Sequence, residues 1–176
     1  MKQIVLTGTG GQGLMRAGMV LGVAAVVGGK QANQTQSYGP EARGGASKAE
    51  VLIADEPIDY PKVQKADTVL AMSQEAFNKY SAGAGEGAKL IVDSTFVREL
   101  KETKAQLIAL PITKAAREEL GRDMFANIIA LGAIVGLTGT VSRDSLEKAV
   151  LDRVPKGTED KNRKALDLGF QLAKQG

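Results

Sequence analysis

The sequence predicts an α/β fold of three layers: a mostly parallel sheet flanked by helices, a Rossmann-like glycine loop, and a helical C-terminal third. Three observations lead there. Short apolar or β-branched runs alternate with helix-length segments through most of the chain. Gly8, Gly10, Gly11 and Gly13 sit between the first such run and the first helical segment. The last third of the sequence carries helical periodicity and capping signals with little strand pattern.

Taken in order, residues 4–7 form a β-branched strand that runs into the glycine cluster. The Ala/Val/Leu/Met-rich stretch 14–27 is a helix stopped by Gly28 and Gly29. Residues 30–45 are polar and rich in turn residues, and read as a strand end plus a long exposed loop. Long loops in compact domains are often functional. Alternation at Ala49, Val51 and Ile53 marks a strand. The continuous apolar runs 68–72 and 90–92 read as buried parallel strands. Ser73 caps a helix over 74–80, and 83–87 (GAGEG) is a flexible turn. A further strand over 106–110 precedes helices at 114–120, capped by Thr113, and at 124–137. Ser142 and Thr158 are the N-cap candidates for two closing amphipathic helices, 143–153 and 159–174.

At 176 residues the chain is expected to be a single domain spanning 1–176. It has no Cys and no His. That excludes a Cys/His zinc site, thiolate ligation of an iron–sulfur cluster, and a Ser–His–Asp or Cys–His nucleophile on this chain. Only seven aromatics (Phe 4, Tyr 3) and a net charge of +3 argue against nucleic acid as a partner. No apolar run approaches the ~18 residues of a membrane span, and Arg16, Lys30 and intervening glycines interrupt the first one. No secretory signal is visible, which makes cytoplasm the expected location.

Gly8, Gly10 and Gly13 match G-x-G-x-x-G in the strand-to-helix context where that pattern has physical meaning. Such a loop lets backbone approach a phosphate at the helix N-terminus. An NAD site also needs an acid about 20 residues further on, whereas the first carboxylate in the chain is Glu41. No Gly-Lys-Ser/Thr follows, so this is not a Walker loop. Three readings of Gly8, Gly10, Gly11, Gln12 and Gly13 stay open: first a tight turn serving packing or an interface, then an anion- or phosphate-binding loop, and last a nicotinamide or flavin dinucleotide site. The second concentration of chemistry is Ser37, Tyr38, Gly39, Glu41, Arg43, Gly44 and Gly45. There the Arg43 fork suits a carboxylate or phosphate and the glycines permit close approach, unless Arg43 merely pairs with Glu41 at the surface.

GTGGQG at 8–13, QTQSYGPEARGGASKAEV at 34–51 and DEPIDYPKVQKADTVLAMSQEAF at 55–77, with LIVDS at 90–94 and NIIALGAIVG at 127–136, resemble the gamma subunit of 2-oxoacid:ferredoxin oxidoreductases. The form YGPEARGG is more similar to the 2-oxoglutarate members than to the pyruvate ones. The resemblance implies a reaction in which a 2-oxoacid, coenzyme A and two oxidised ferredoxins give acyl-CoA, carbon dioxide and two reduced ferredoxins. It also implies that thiamine diphosphate with Mg sits on alpha and beta subunits, and iron–sulfur clusters on beta or delta. This chain would then be an accessory, non-catalytic subunit without cofactor, its two glycine-rich segments serving subunit contact or the approach of coenzyme A. Indolepyruvate- and branched-chain-type complexes carry a similar domain, and a stand-alone nucleotide-binding domain is the alternative from another class. Apart from its partners, the chain is expected to expose apolar helix faces and form a homodimer.

Overall fold

The computed structural model describes residues 1–36 and 46–176. In chain order the strands are β1 Lys2–Gly8, β2 Gln31–Gln36, β3 Ser47–Ala54, β4 Ala66–Ala71, β5 Ala84–Asp93 and β6 Gln106–Leu110. The helices are α1 Leu14–Val27, α2 Gln74–Tyr80, α3 Ile112–Ala115, α4 Ala126–Thr138, α5 Arg143–Leu151 and α6 Glu159–Ala173. One six-stranded sheet has the order β2-β3-β1-β4-β5-β6. β1, β4, β5 and β6 are parallel neighbours, and the runs 68–72 and 90–92, expected as buried parallel strands, fall at β4 and within β5. β3 runs antiparallel to β1, with Val51 opposite Ile4, and β2 runs antiparallel to β3, with Ala32 opposite Ile53. The connection from β2 to β3 spans only residues 37–46, and a parallel pair would need a crossover of about a dozen residues or more.

Alternation along the strands divides the core in two. Ile4, Leu6, Val51, Ile53, Leu70 and Ile91 point to a face covered by α1, α4, α5 and α6. Val5, Val69, Ala71, Leu90 and Val92 point to the other, where Phe77 of α2 is the large buried side chain. The first layer is held tightly where α4 crosses α6. A Cβ on Gly132 would lie 2.6 Å from the Leu166 carbonyl oxygen, and one on Gly169 2.8 Å from the Ala133 nitrogen. Two facing glycines therefore let the backbones touch. No helix among the described residues is long and apolar enough to cross a membrane.

Four local expectations change. The polar run after Lys30 is a full edge strand, β2, because its backbone finds partners on β3 whatever its side chains prefer. GAGEG is not a free turn: its residues 84–87 lie within β5, where the register shifts between Ala66 opposite Ala84 and Thr68 opposite Lys89. Gly87, at φ +83°, absorbs that irregularity. Thr113 lies inside α3 instead of capping it, because its hydroxyl donates to Asp93 Oδ2 at 2.5 Å. Thr158 occupies the N-cap of α6, yet its hydroxyl donates to the Pro155 carbonyl at 2.6 Å and satisfies no helix N–H. Ser73 and Ser142 cap as expected, accepting from Ala76 N and Ser145 N, each at 3.1 Å.

Candidate functional site

The parallel strands β1, β4, β5 and β6 all end on one edge, and a cleft of about 1000 Å³ opens beyond their C-terminal ends. β1 leads to α1 on one face and β4 to α2 on the other, so the cleft lies where the chain changes face. In open α/β sheets that crevice is where ligands bind. Its lining comes from Thr9, Gly11, Gln12 and Gly13 after β1, Arg16 on α1, Ser73, Gln74 and Glu75 at α2, Phe96 after β5, Thr113, and Asp123, Met124, Ala126 and Asn127 at the start of α4.

The glycine loop is built around Gln12. Its Oε1 accepts from Thr9 N at 2.7 Å and its Nε2 donates to the Met72 carbonyl at 2.9 Å, so one side chain closes the turn and ties it to the end of β4. Gly8 must be glycine for packing: a Cβ there would collide with Gln12 Oε1, stand 2.5 Å from Leu14 Cδ1 and 3.0 Å from Met72 Cβ. Gly13 must be glycine for backbone geometry, at φ +73°, and its carbonyl accepts from Ala17 N at 3.0 Å and Asn127 Nδ2 at 3.3 Å. Gly10 and Gly11 differ from both. They are exposed, and a Cβ on either would meet nothing within 4 Å. Two glycines of the motif thus answer to the fold, and two leave backbone open to whatever approaches it.

Charge around the cleft is divided. Arg16, exposed on the first turn of α1, has no carboxylate within salt-bridge distance among the described residues. Arg117 instead forms a fork with Asp123, Nε to Oδ1 at 2.6 Å and Nη2 to Oδ2 at 2.9 Å, and its guanidinium lies 5.4 Å from the centre of the Phe96 ring. The hydrogen bonds from Arg117, with its charge, hold the Asp123 carboxyl below its ordinary value, and Arg117 is correspondingly raised. Asp93 is fully buried at the end of β5 and takes hydrogen bonds from Thr113 Oγ1, Thr113 N and Thr95 N. It fastens the strand end to α3 and so shapes the floor.

Gly11, Gln12 and Gly13 line this cleft as one loop, with Gly8 and Gly10 beside them. Ser37, Tyr38, Gly39, Glu41, Arg43, Gly44 and Gly45 lie outside the described residues. Arg16, Asn127, Phe96, Asp123 and Met124 join the site without having been singled out for it by sequence. The one available signal for them was position: Arg16 and Asn127 fall in the first turns of the two most apolar helices, where a polar residue is out of pattern.

A family model described as pyruvate ferredoxin/flavodoxin oxidoreductase matches residues 3–172. The chain is 50% identical over 177 residues to "2-oxoglutarate synthase subunit KorC" of Methanocaldococcus jannaschii, covering 99% of this chain and 95% of the relative. It is 46% identical over 182 residues to the protein of the same name from Methanothermobacter marburgensis, covering 99% and 98%. The crystal structure of a keto/oxoacid ferredoxin oxidoreductase gamma subunit from Geobacter sulfurreducens superposes with a TM-score of 0.91 at 48% identity over the full length of both chains. The family match, the full-length sequence likeness and the superposition agree, and the chain belongs to the pyruvate ferredoxin/flavodoxin oxidoreductase family as a gamma subunit of the 2-oxoacid:ferredoxin oxidoreductases.

Proposed function

We propose that this chain is the gamma subunit of a complex that oxidises 2-oxoglutarate, consuming coenzyme A and two oxidised ferredoxins and releasing succinyl-CoA, carbon dioxide and two reduced ferredoxins. The observation that carries this reading is identity of 50% and 46%, across almost the whole of both chains, to proteins named as 2-oxoglutarate synthase subunits. The chain acts as a single domain in the cytoplasm, beside alpha and beta subunits and, where present, delta. Thiamine diphosphate with Mg supplies the decarboxylation chemistry on alpha and beta, and iron–sulfur clusters carry the electrons on beta or delta. This chain's own residues do not fit those groups. A cluster needs thiolates and the sequence has no Cys, and among the described residues no three carboxylates gather as a metal site.

What this chain contributes is surface. The open backbone at Gly10 and Gly11, the first turn of α1 and Arg16, which has no carboxylate partner among the described residues, form a surface suited to a phosphate group such as those of coenzyme A. Residues 37–45, with Arg43, serve subunit contact or the same approach. No acid, base or nucleophile is assigned to this chain.

Reconstitution tests the reading. Alpha and beta chains with this subunit should reduce viologen with 2-oxoglutarate and coenzyme A, and prefer 2-oxoglutarate to pyruvate and to indolepyruvate. The isolated chain should be silent. Turnover by the isolated chain, or full activity from the other subunits alone, would overturn it. Within the complex, Arg16→Ala should raise KM for coenzyme A at least about tenfold, equivalent to about 1.4 kcal/mol, while kcat holds.

A further inference from the structure

The face of the sheet that carries α2 holds a second pocket, of about 190 Å³, which shares no residue with the cleft. Val5 and Val69, both in the core on that face, form its apolar floor. Lys48 and Glu50, two residues apart on β3 and so on one face, form a wall. Tyr80, the last residue of α2, stands against them, its ring centre 5.6 Å from Lys48 Nζ. Gln64 and Gly83 also line the pocket and are exposed, which gives it a way to solvent.

The wall is fixed by the fold. Lys48 Nζ lies 3.1 Å from Glu50 Oε1, with the two side chains 25% and 15% exposed, and Glu50 Oε2 accepts from Val63 N at 2.8 Å. Gln3 Oε1 accepts from Gln64 N at 2.7 Å and from Lys65 N at 3.1 Å, which pins the same segment to β1. Three features then say what fits. The Tyr80 hydroxyl is buried with no hydrogen-bond partner, and among the described residues no other buried side-chain polar atom is left so, although such groups are nearly always paired. Both Glu50 oxygens are engaged, whereas Lys48 has given one of its three N–H groups to that carboxylate and Tyr80 has given no hydrogen bond at all. The capacity left over is for donation, and acceptor oxygens would take it up. Charge points the same way: Lys79 Nζ lies 5.3 Å from the Tyr80 ring centre, so two ammonium groups flank the ring against one carboxylate. At about 30 Å³ for each water-sized group, the volume holds a molecule of about six non-hydrogen atoms.

We propose that this pocket binds a small monocarboxylate with a short aliphatic chain, its carboxylate between the Tyr80 hydroxyl and the Lys48 ammonium and its chain on Val5 and Val69. An inorganic anion would match the charge and leave the valine floor uncovered; a neutral molecule of the same shape would leave the second ammonium group without a counter-charge. Val5 and Glu50 face each other in mid-strand, away from the strand ends that open into the cleft. The assignment therefore stands whether or not the cleft receives coenzyme A.

Butyrate has the required size and is the probe, with butyramide as its neutral isostere. The full chain carrying ring-labelled tyrosine gives signals from Tyr38, Tyr60 and Tyr80, and the one missing from Tyr80→Phe is the reporter. Titrated with sodium butyrate against a sodium chloride blank, that signal should move saturably with a Kd of roughly millimolar, the range open to so small a ligand. The amide signals of Val5 and Lys48 should move with it, and butyramide should bind at least about tenfold more weakly. Followed at those amides, Tyr80→Phe should weaken butyrate binding at least about tenfold. In the absence of butyrate the same variant should melt no lower than the unsubstituted chain, because the hydroxyl it lacks had no protein partner. Lys48→Met, which keeps the apolar stem, should weaken binding by a similar factor wherever it folds. A Tyr80 signal that butyrate moves no more than chloride does, equal binding of butyramide, or a Tyr80→Phe chain that melts lower or binds butyrate undiminished would overturn the proposal.

Discussion

Gly8 and Gly10 are two residues apart in the same motif and should respond to alanine in opposite ways. At Gly8 a methyl group has no room between Gln12, Leu14 and Met72, and overpacking of that kind costs about 1–3 kcal/mol. At Gly10 or Gly11 it meets open space, where substitution away from contacts stays within about 0.5 kcal/mol. Urea denaturation of the three variants should separate them this way, and Gly10→Ala should then affect only assembly or coenzyme A kinetics. Asp123 gives a pH-dependent case. Its carboxyl lies below the ordinary 3.8 because Arg117 donates to it, so its contribution to stability is present above that value and lost as pH falls through the lowered one. Both groups are exposed, so the effect on stability is slight and screened by salt. An NMR titration should place the Asp123 midpoint below 3.8, and Arg117→Gln should return it to the ordinary value. An unshifted midpoint in the unsubstituted chain would remove the fork.

At the scale of elements, two contacts decide how the cleft is held. Thr113 ties α3 to the buried Asp93 at the end of β5. Thr113→Val keeps shape but takes one donor from a buried carboxylate, and hydrogen bonds to charged groups are worth about 1.5–3 kcal/mol. A loss of that size in a denaturant melt is expected, with the backbone donors from Thr95 and Thr113 retained. The α4–α6 crossing is less tolerant. Gly169→Ala would press a methyl group onto the backbone of Ile129, Gly132 and Ala133, and only separation of the helices relieves it. About 3 kcal/mol or more should be lost, read as a fall in melting temperature or as insoluble protein. Neither contact was visible as a pair in the sequence. Thr113 looked like a cap, because Ser and Thr before a helical run usually are, and Gly132 and Gly169 are separated by two loops and a helix.

For the whole molecule, the fold and its complex-forming role fit together: among the described residues, five helical segments pack on one side of the sheet and one short helix on the other, and a cleft opens at the C-terminal ends of the parallel strands. Arg43 tests the role at this scale. Arg43→Ala should leave the melting temperature of the isolated chain unchanged, because a charged side chain in a glycine-rich run seldom carries core stability. Loss of one partner from a desolvated pair costs about 2–5 kcal/mol, against about 0–1 for a solvated one. Assembly with alpha and beta, or KM for coenzyme A, should therefore worsen at least about tenfold. Unchanged assembly and kinetics would reduce Arg43 to a surface pair with Glu41.

Periodicity and punctuation along the chain determined the element types and most of their bounds: the helix Leu14–Val27 is as the glycines that flank it require, and the apolar runs 68–72 and 90–92 mark two of the four parallel strands. Local signals suffice there because each such element buries its own apolar residues. The extended motifs at 8–13 and 34–51 likewise carried the family before any coordinate did. The antiparallel pair β2–β3, the inclusion of GAGEG in β5, and the meeting of Arg16, Phe96, Asp123 and Asn127 around one cleft were decided by tertiary structure alone. Strand direction, register and convergence of distant loops depend on which backbones find partners across the sheet, and that pairing energy belongs to contacts far apart in the chain.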